Sequence, residues 1–105
     1  MSEIEDKTAS LLEALWQRNR PLVEERVAVL DQADAAAGAG PLNEDLRKEA
    51  QSNAHKLAGA LGMYGYDEGT LIARQIEVLL ESATPDAGRL NGLIGELRAA
   101  IFPQG

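Results

Sequence analysis

The chain has one histidine, His55, and no cysteine, so imidazole chemistry has a single possible seat and thiolate chemistry has none. An imidazole held in one tautomer presents a lone pair on the other nitrogen and is a nucleophile near neutral pH. His55 follows Ala54, a member of the apolar row Leu46, Ala50, Ala54, Leu57 and Leu61 at helical spacing. It therefore stands about 100° round the helix from a buried line and faces outward at the edge of a core. Lys48, Gln51, Ser52, Gly59 and Gly62 share its face, and nothing bulky follows the ring. A glycine inside a helix costs about 1 kcal/mol relative to alanine. For Gly59, a turn beyond His55, clearance for another protein's backbone answers that cost. For Gly62, close to Gly65, a fraying helix end answers it equally well.

A helical histidine is most often an ordinary surface residue, and its surroundings decide whether this one is more. If the helices before and after Gly65 and Tyr66 form a hairpin, His55 faces about residue 75 or 76, with Arg74 and Glu77 flanking that level. A carboxylate accepting the proton of Nδ1 would fix the tautomer and leave Nε2 as the exposed nucleophile. A guanidinium beside it would steady a phosphoryl group. By charge pattern alone, Arg74 and Glu77 read equally as an intrahelical pair on a solvated face. No second histidine, cysteine or placed serine completes a hydrolytic triad, and no glycine-rich loop with lysine and serine cradles a nucleotide. One histidine also leaves no multi-histidine metal site. An exposed nucleophile without a substrate pocket suits a group presented by another protein's active site.

Four amphipathic stretches must position these residues. In the first, Leu12, Trp16, Val23, Val27 and Leu30 recur at helical spacing, with Leu11, Leu15, Leu22 and Val29 widening the stripe toward the core. Pro21 predicts a kink or break near Asn19 and Arg20. The stretch from Ala35 to Pro41 reads as a loop. Asn43 caps a second helix with Glu44 and Asp45 in its first turn, and Gly65 ends it in a left-handed conformation. Asp67 caps the third, whose apolar face is Leu71, Ile72, Ile76, Leu79 and Leu80. Thr84, Pro85 and Asp86 read as N-cap, first-turn proline and dipole-compatible acid of the fourth, which runs to Pro103. No stretch alternates with period two. The expectation is all-α: an antiparallel up-down-up-down four-helix bundle with a kinked first helix, one domain over residues 1–105.

Composition narrows the partners. With 17 acidic and 10 basic residues, the net charge of −7 repels a polyphosphate backbone, which excludes nucleic acid. No apolar run approaches the roughly 18 residues of a membrane span, and the first residues lack a secretory pattern. A cytoplasmic protein without a membrane partner is expected. A monomer is the simplest assembly, although broad apolar stripes also close bundles between two chains.

The run His55-Lys56-Leu57-Ala58-Gly59, followed by Leu61, Gly62 and Gly65, resembles the signature of histidine phosphotransfer (HPt) domains, over about Ala50 to Leu80. That resemblance implies a four-helix bundle whose histidine takes phosphate from a kinase, or exchanges it with the aspartate of a response-regulator receiver domain, in a two-component phosphorelay. It makes His55 the phospho-acceptor and puts Glu77 where the family carries a glutamine or glutamate bonded to the imidazole. The family usually has lysine three residues after the histidine; Ala58 stands there, which leaves Arg74 and Lys56 as candidate phosphate contacts. Ser52, Gly59 and Gly62 become the docking surface. No cofactor of its own is implied, and Mg²⁺ is expected on the receiver. Two other readings stay open: a helical module that docks a receiver or kinase without transferring phosphate, and a purely structural bundle.

Overall fold

The computed structural model describes the backbone of residues 3–103 and side chains from Lys7 onward. Four helices make up the architecture: α1 (Glu3–Ala39), α2 (Glu44–Leu61), α3 (Asp67–Leu79) and α4 (Ala87–Ile101), with a single 3₁₀ turn, Gly62–Tyr64, after α2. The described residues contain no strand. α2 packs most extensively on α3, α1 on α2, α3 on α4, and α1 closes on α4; the backbones of the diagonal pairs do not approach one another among the described residues. Sequence neighbours are thus spatial neighbours all the way round, which is the expected up-down-up-down order.

The helix ends show how local chemistry sets these bounds. Asn43 accepts hydrogen bonds from the amides of Asp45 and Leu46, as its position predicts. Gly65 has φ of +84°, a left-handed conformation that glycine adopts without strain, and the Tyr66 amide bonds back to the Leu61 carbonyl at 3.0 Å. Two expected caps need correction. Asp67 is the first residue of α3 rather than its cap; Tyr66 occupies the cap position without a side-chain bond. The cap of α4 is Asp86, whose carboxylate accepts from the Arg89 amide at 3.0 Å. Thr84 is occupied two residues earlier, where its own amide donates to Ser82 Oγ at 3.1 Å, and Pro85 precedes the helix.

α1 departs from expectation in how far it runs. It is one continuous helix across Pro21, so the chain does not break there. It also continues through the stretch expected as a loop from Ala35, and only residues 40–43 are left as a connection. Alanine is the strongest helix former, and Ala33, Ala36 and Ala37 pack on the core, which together outweigh the cost of Gly38. The molecule's long axis of 53 Å is α1 itself, since 37 residues at 1.5 Å rise span about 55 Å. Its partner helices are half as long or less. Residues 7–15 are accordingly exposed: Leu11 is 66% exposed, and Leu12 and Leu15 are exposed with it, as is Leu22 farther along. The core starts at Trp16 and runs through Val23, Val27 and Leu30 to meet Leu57, Leu61, Ile76, Leu80, Leu90, Leu97 and Ile101.

All four aromatic residues gather at one end of the bundle. Trp16 lies with its ring centroid 5.4 Å from Tyr64, 4.9 Å from Tyr66 and 6.0 Å from Phe102, and the Arg20 guanidinium sits 4.9 Å above the Phe102 ring. Beside this end, buried Gly69 lets the start of α3 approach its neighbours. A Cβ there would fall 2.9 Å from Ile101 Cγ2 and 3.2 Å from Leu61 Cδ1. Gly69→Ala gains helix propensity of about 1 kcal/mol, whereas overpacking costs about 1–3 kcal/mol. The expected net effect is a loss of about 1 kcal/mol, read as a lower urea midpoint with unchanged slope.

Candidate functional site

α2 and α3 meet along a seam closed by polar side chains at successive helical turns. Arg47 Nη1 donates to the Leu80 carbonyl at 2.9 Å, Gln51 Nε2 reaches the Glu77 carbonyl at 3.5 Å, and Thr70 Oγ1 donates to the Ala58 carbonyl at 3.0 Å. Between the last two rungs, His55 Nδ1 lies 2.8 Å from Glu77 Oε2. Residues 47, 51 and 55 are each a turn apart on α2, which places them on one line facing α3. At the open end of the seam Arg47 also binds Glu44, and this hydrogen bond holds the Glu44 carboxyl below the usual carboxylate range.

The His55–Glu77 rung differs from the others in its solvent access. The imidazole is 74% exposed, whereas Glu77 is 27% exposed and lies back against the seam. A carboxylate only accepts, so in the neutral imidazole Nδ1 carries the proton and Nε2 keeps its lone pair. A cleft of about 330 Å³ opens in front of the ring, lined by His55, Ala58, Gly59, Arg74, Glu77 and Val78. A Cβ on Gly59 would meet nothing within 4 Å. Arg74 therefore shares the cleft with His55 and Glu77, and its guanidinium makes no hydrogen bond or ion pair with the described residues. Lys56, one residue round the helix, is exposed and does not line the cleft; Ser52 is exposed a turn before His55. Gly62 opens the 3₁₀ turn, where a Cβ would touch Thr70 Oγ1 at 3.4 Å.

Sequence reasoning did not single out Arg47, Thr70 and Val78, and it noted Gln51 only as a flat neighbour. The signal for Arg47 and Gln51 was present in the i, i+4, i+8 spacing of Arg47, Gln51 and His55. No signal distinguished the outward Val78 from a core valine. Among the described residues, no group of three or more acidic or imidazole side chains is placed to hold a metal ion.

The model of the family described as Hpt domain matches residues 10–101. The chain belongs to the Hpt domain family. Hpt domains serve as phosphocarriers in phosphorelays, where they meet receiver domains or kinases. Over 79 residues this Hpt domain is 32% identical to Protein RcaC of Microchaete diplosiphon, a match that covers 75% of the chain and 12% of RcaC, so the chain spans about an eighth of that curated relative. No solved structure matches it. No helix among the described residues is long and apolar enough to cross a membrane.

Proposed function

We propose that His55 Nε2 accepts a phosphoryl group from the aspartyl phosphate of a response-regulator receiver domain and returns it to such an aspartate, in the cytoplasm and as a monomeric carrier. The observation that carries this reading is the 2.8 Å contact of Nδ1 with Glu77 beneath a largely exposed ring. In the forward step the Nε2 lone pair forms the N–P bond in line as the P–O bond to the aspartate breaks, and that electron pair leaves on the aspartate carboxylate. The imidazole keeps its Nδ1 proton and becomes cationic, so Glu77 neutralises charge that develops during transfer. Arg74, the cation that lines the cleft, contacts the phosphoryl oxygens and takes the part that the family gives to lysine at the position of Ala58. Lys56 contributes only long-range attraction. No metal or cofactor is assigned to this chain; the receiver is expected to bring the Mg²⁺ that neutralises the phosphate on its side.

The test is transfer in Mg²⁺ from a panel of phosphorylated receiver domains, scored as an acid-labile, alkali-stable label, with phosphoramidate as a small donor that needs no docking. Label from at least one receiver is expected. Receiver binding without label from either donor supports the docking module instead. Ser52, Gly59 and Gly62 form the surface on which the receiver sits, and Gly59 separates stability from docking. Gly59→Ala adds a methyl group to open space within a helix and is expected to raise stability by about 1 kcal/mol in urea unfolding. Gly59→Leu is expected to slow transfer from the receiver while leaving phosphoramidate labelling intact.

A further inference from the structure

We infer that the groove between α3 and α4 is the second half of the receiver's footprint, taking an apolar side chain that the receiver carries beside a carboxylate. The inference rests on His55 as the phospho-acceptor and extends that site sideways. The groove, about 670 Å³, is walled by Leu71, Arg74, Val78, Leu79, Pro85 and Arg89, and it shares Arg74 and Val78 with the cleft in front of His55. Leu71 and Val78 are seven residues apart, two helical turns, and so share one face of α3 with Arg74 between them. They are 58% and 63% exposed, so the bundle core does not use them.

Two large apolar side chains on one exposed face beside the nucleophile are more than the scattered exposure of a monomer surface. The charge in the groove points to the same partner. In a chain of net charge −7, the groove presents two guanidiniums. Arg74 has no partner among the described residues, and Arg89 reaches only the Gln75 amide oxygen at 3.3 Å. The one carboxylate in the wall, Asp86, is engaged as the cap of α4. An acid is therefore welcome beside the apolar floor. Size supports the same conclusion, because a stable interface covers roughly 800 Å² on each partner, more than the cleft around one imidazole offers. A body seated on His55 must spread, and on the α3 side it meets this groove without a gap.

The experiment compares wild type, Leu71→Asp and Arg89→Glu in transfer from the panel receiver that labels wild type fastest, with phosphoramidate labelling and helical circular dichroism measured alongside. Each variant is expected to lose about tenfold or more in kcat/KM for the receiver, mainly through KM, with the phosphoramidate rate unchanged. Leu71→Ala, which keeps the helix intact, is expected to lose about threefold and checks the same wall without added charge. Receiver transfer within about twofold of wild type in all three variants overturns the groove and means that the receiver leans toward α1 instead. Absence of label on wild type from every receiver overturns the phospho-acceptor reading itself, and the groove with it; the wild-type measurement tells these two failures apart.

Discussion

His55→Gln is expected to abolish label from both receiver and phosphoramidate while leaving the bundle folded. The loss is complete because the chain has one histidine, and the glutamine amide has no nucleophilic lone pair to replace Nε2. The fold survives because the ring is mostly in water and its one hydrogen bond is to Glu77 across an exposed seam. Such surface changes stay within about 0.5 kcal/mol, and the buried row of α2, Ala50, Ala54, Leu57, Ala58 and Leu61, is untouched. Thermal unfolding by circular dichroism, run beside the transfer assay, checks both halves of this expectation. An acid-labile label on the variant would place the phosphoryl group elsewhere and end the proposal.

Glu77→Ala carries the second large effect, expected to be about a tenfold loss in transfer rate. A hydrogen bond to a charged group is worth about 1.5–3 kcal/mol, and 1.36 kcal/mol is tenfold in rate. The low end applies because the imidazole is 74% exposed and water screens the pair. Glu77→Gln keeps an acceptor for the Nδ1 proton but removes the charge, so it should fall between wild type and alanine. If the carboxylate acts only as a spacer along the seam, alanine and wild type will transfer at equal rates. If it acts only through orientation, glutamine will match wild type, and the charge developing on the ring will have no part in catalysis.

The register of this pair was legible before any coordinates because it depends on one local event. Gly65 must turn the chain, and counting outward from Gly65 and Tyr66 brings position 55 close to position 77. The Asn43 cap was legible for a similar reason, since one side chain satisfies adjacent amides. Where several residues compete, the spacing did not choose. Thr84 and Asp86 are both good caps, and it is the Asp86 carboxylate that takes the Arg89 amide at the start of α4. Asp67 and the alanines after Ala35 show the same limit: helix propensity tells where a helix can run, whereas packing tells where it stops. The leucines of α1 expose a further one. Periodicity shows that Leu11, Leu12 and Leu15 share an apolar band but not whether the core extends to their level, and all three are exposed. Leu71 was hidden in the same way inside a stripe that also feeds the core, and Val78, which that stripe leaves out, is exposed as well.

The aromatic cluster gives this molecule a built-in reporter. Its only indole is buried, at the end where the turn after α2, the tail of α4 and the first buried turn of α1 converge. Fluorescence emission from Trp16 therefore follows the closing of that end and shifts to the red when water reaches it. The proposed phosphorylation site, its removal in His55→Gln and the proposed receiver contact along the outer face of α3 all involve side chains outside the cluster. A variant that fails to transfer with its emission unshifted has lost chemistry or docking, and one that fails with red-shifted emission has lost the bundle.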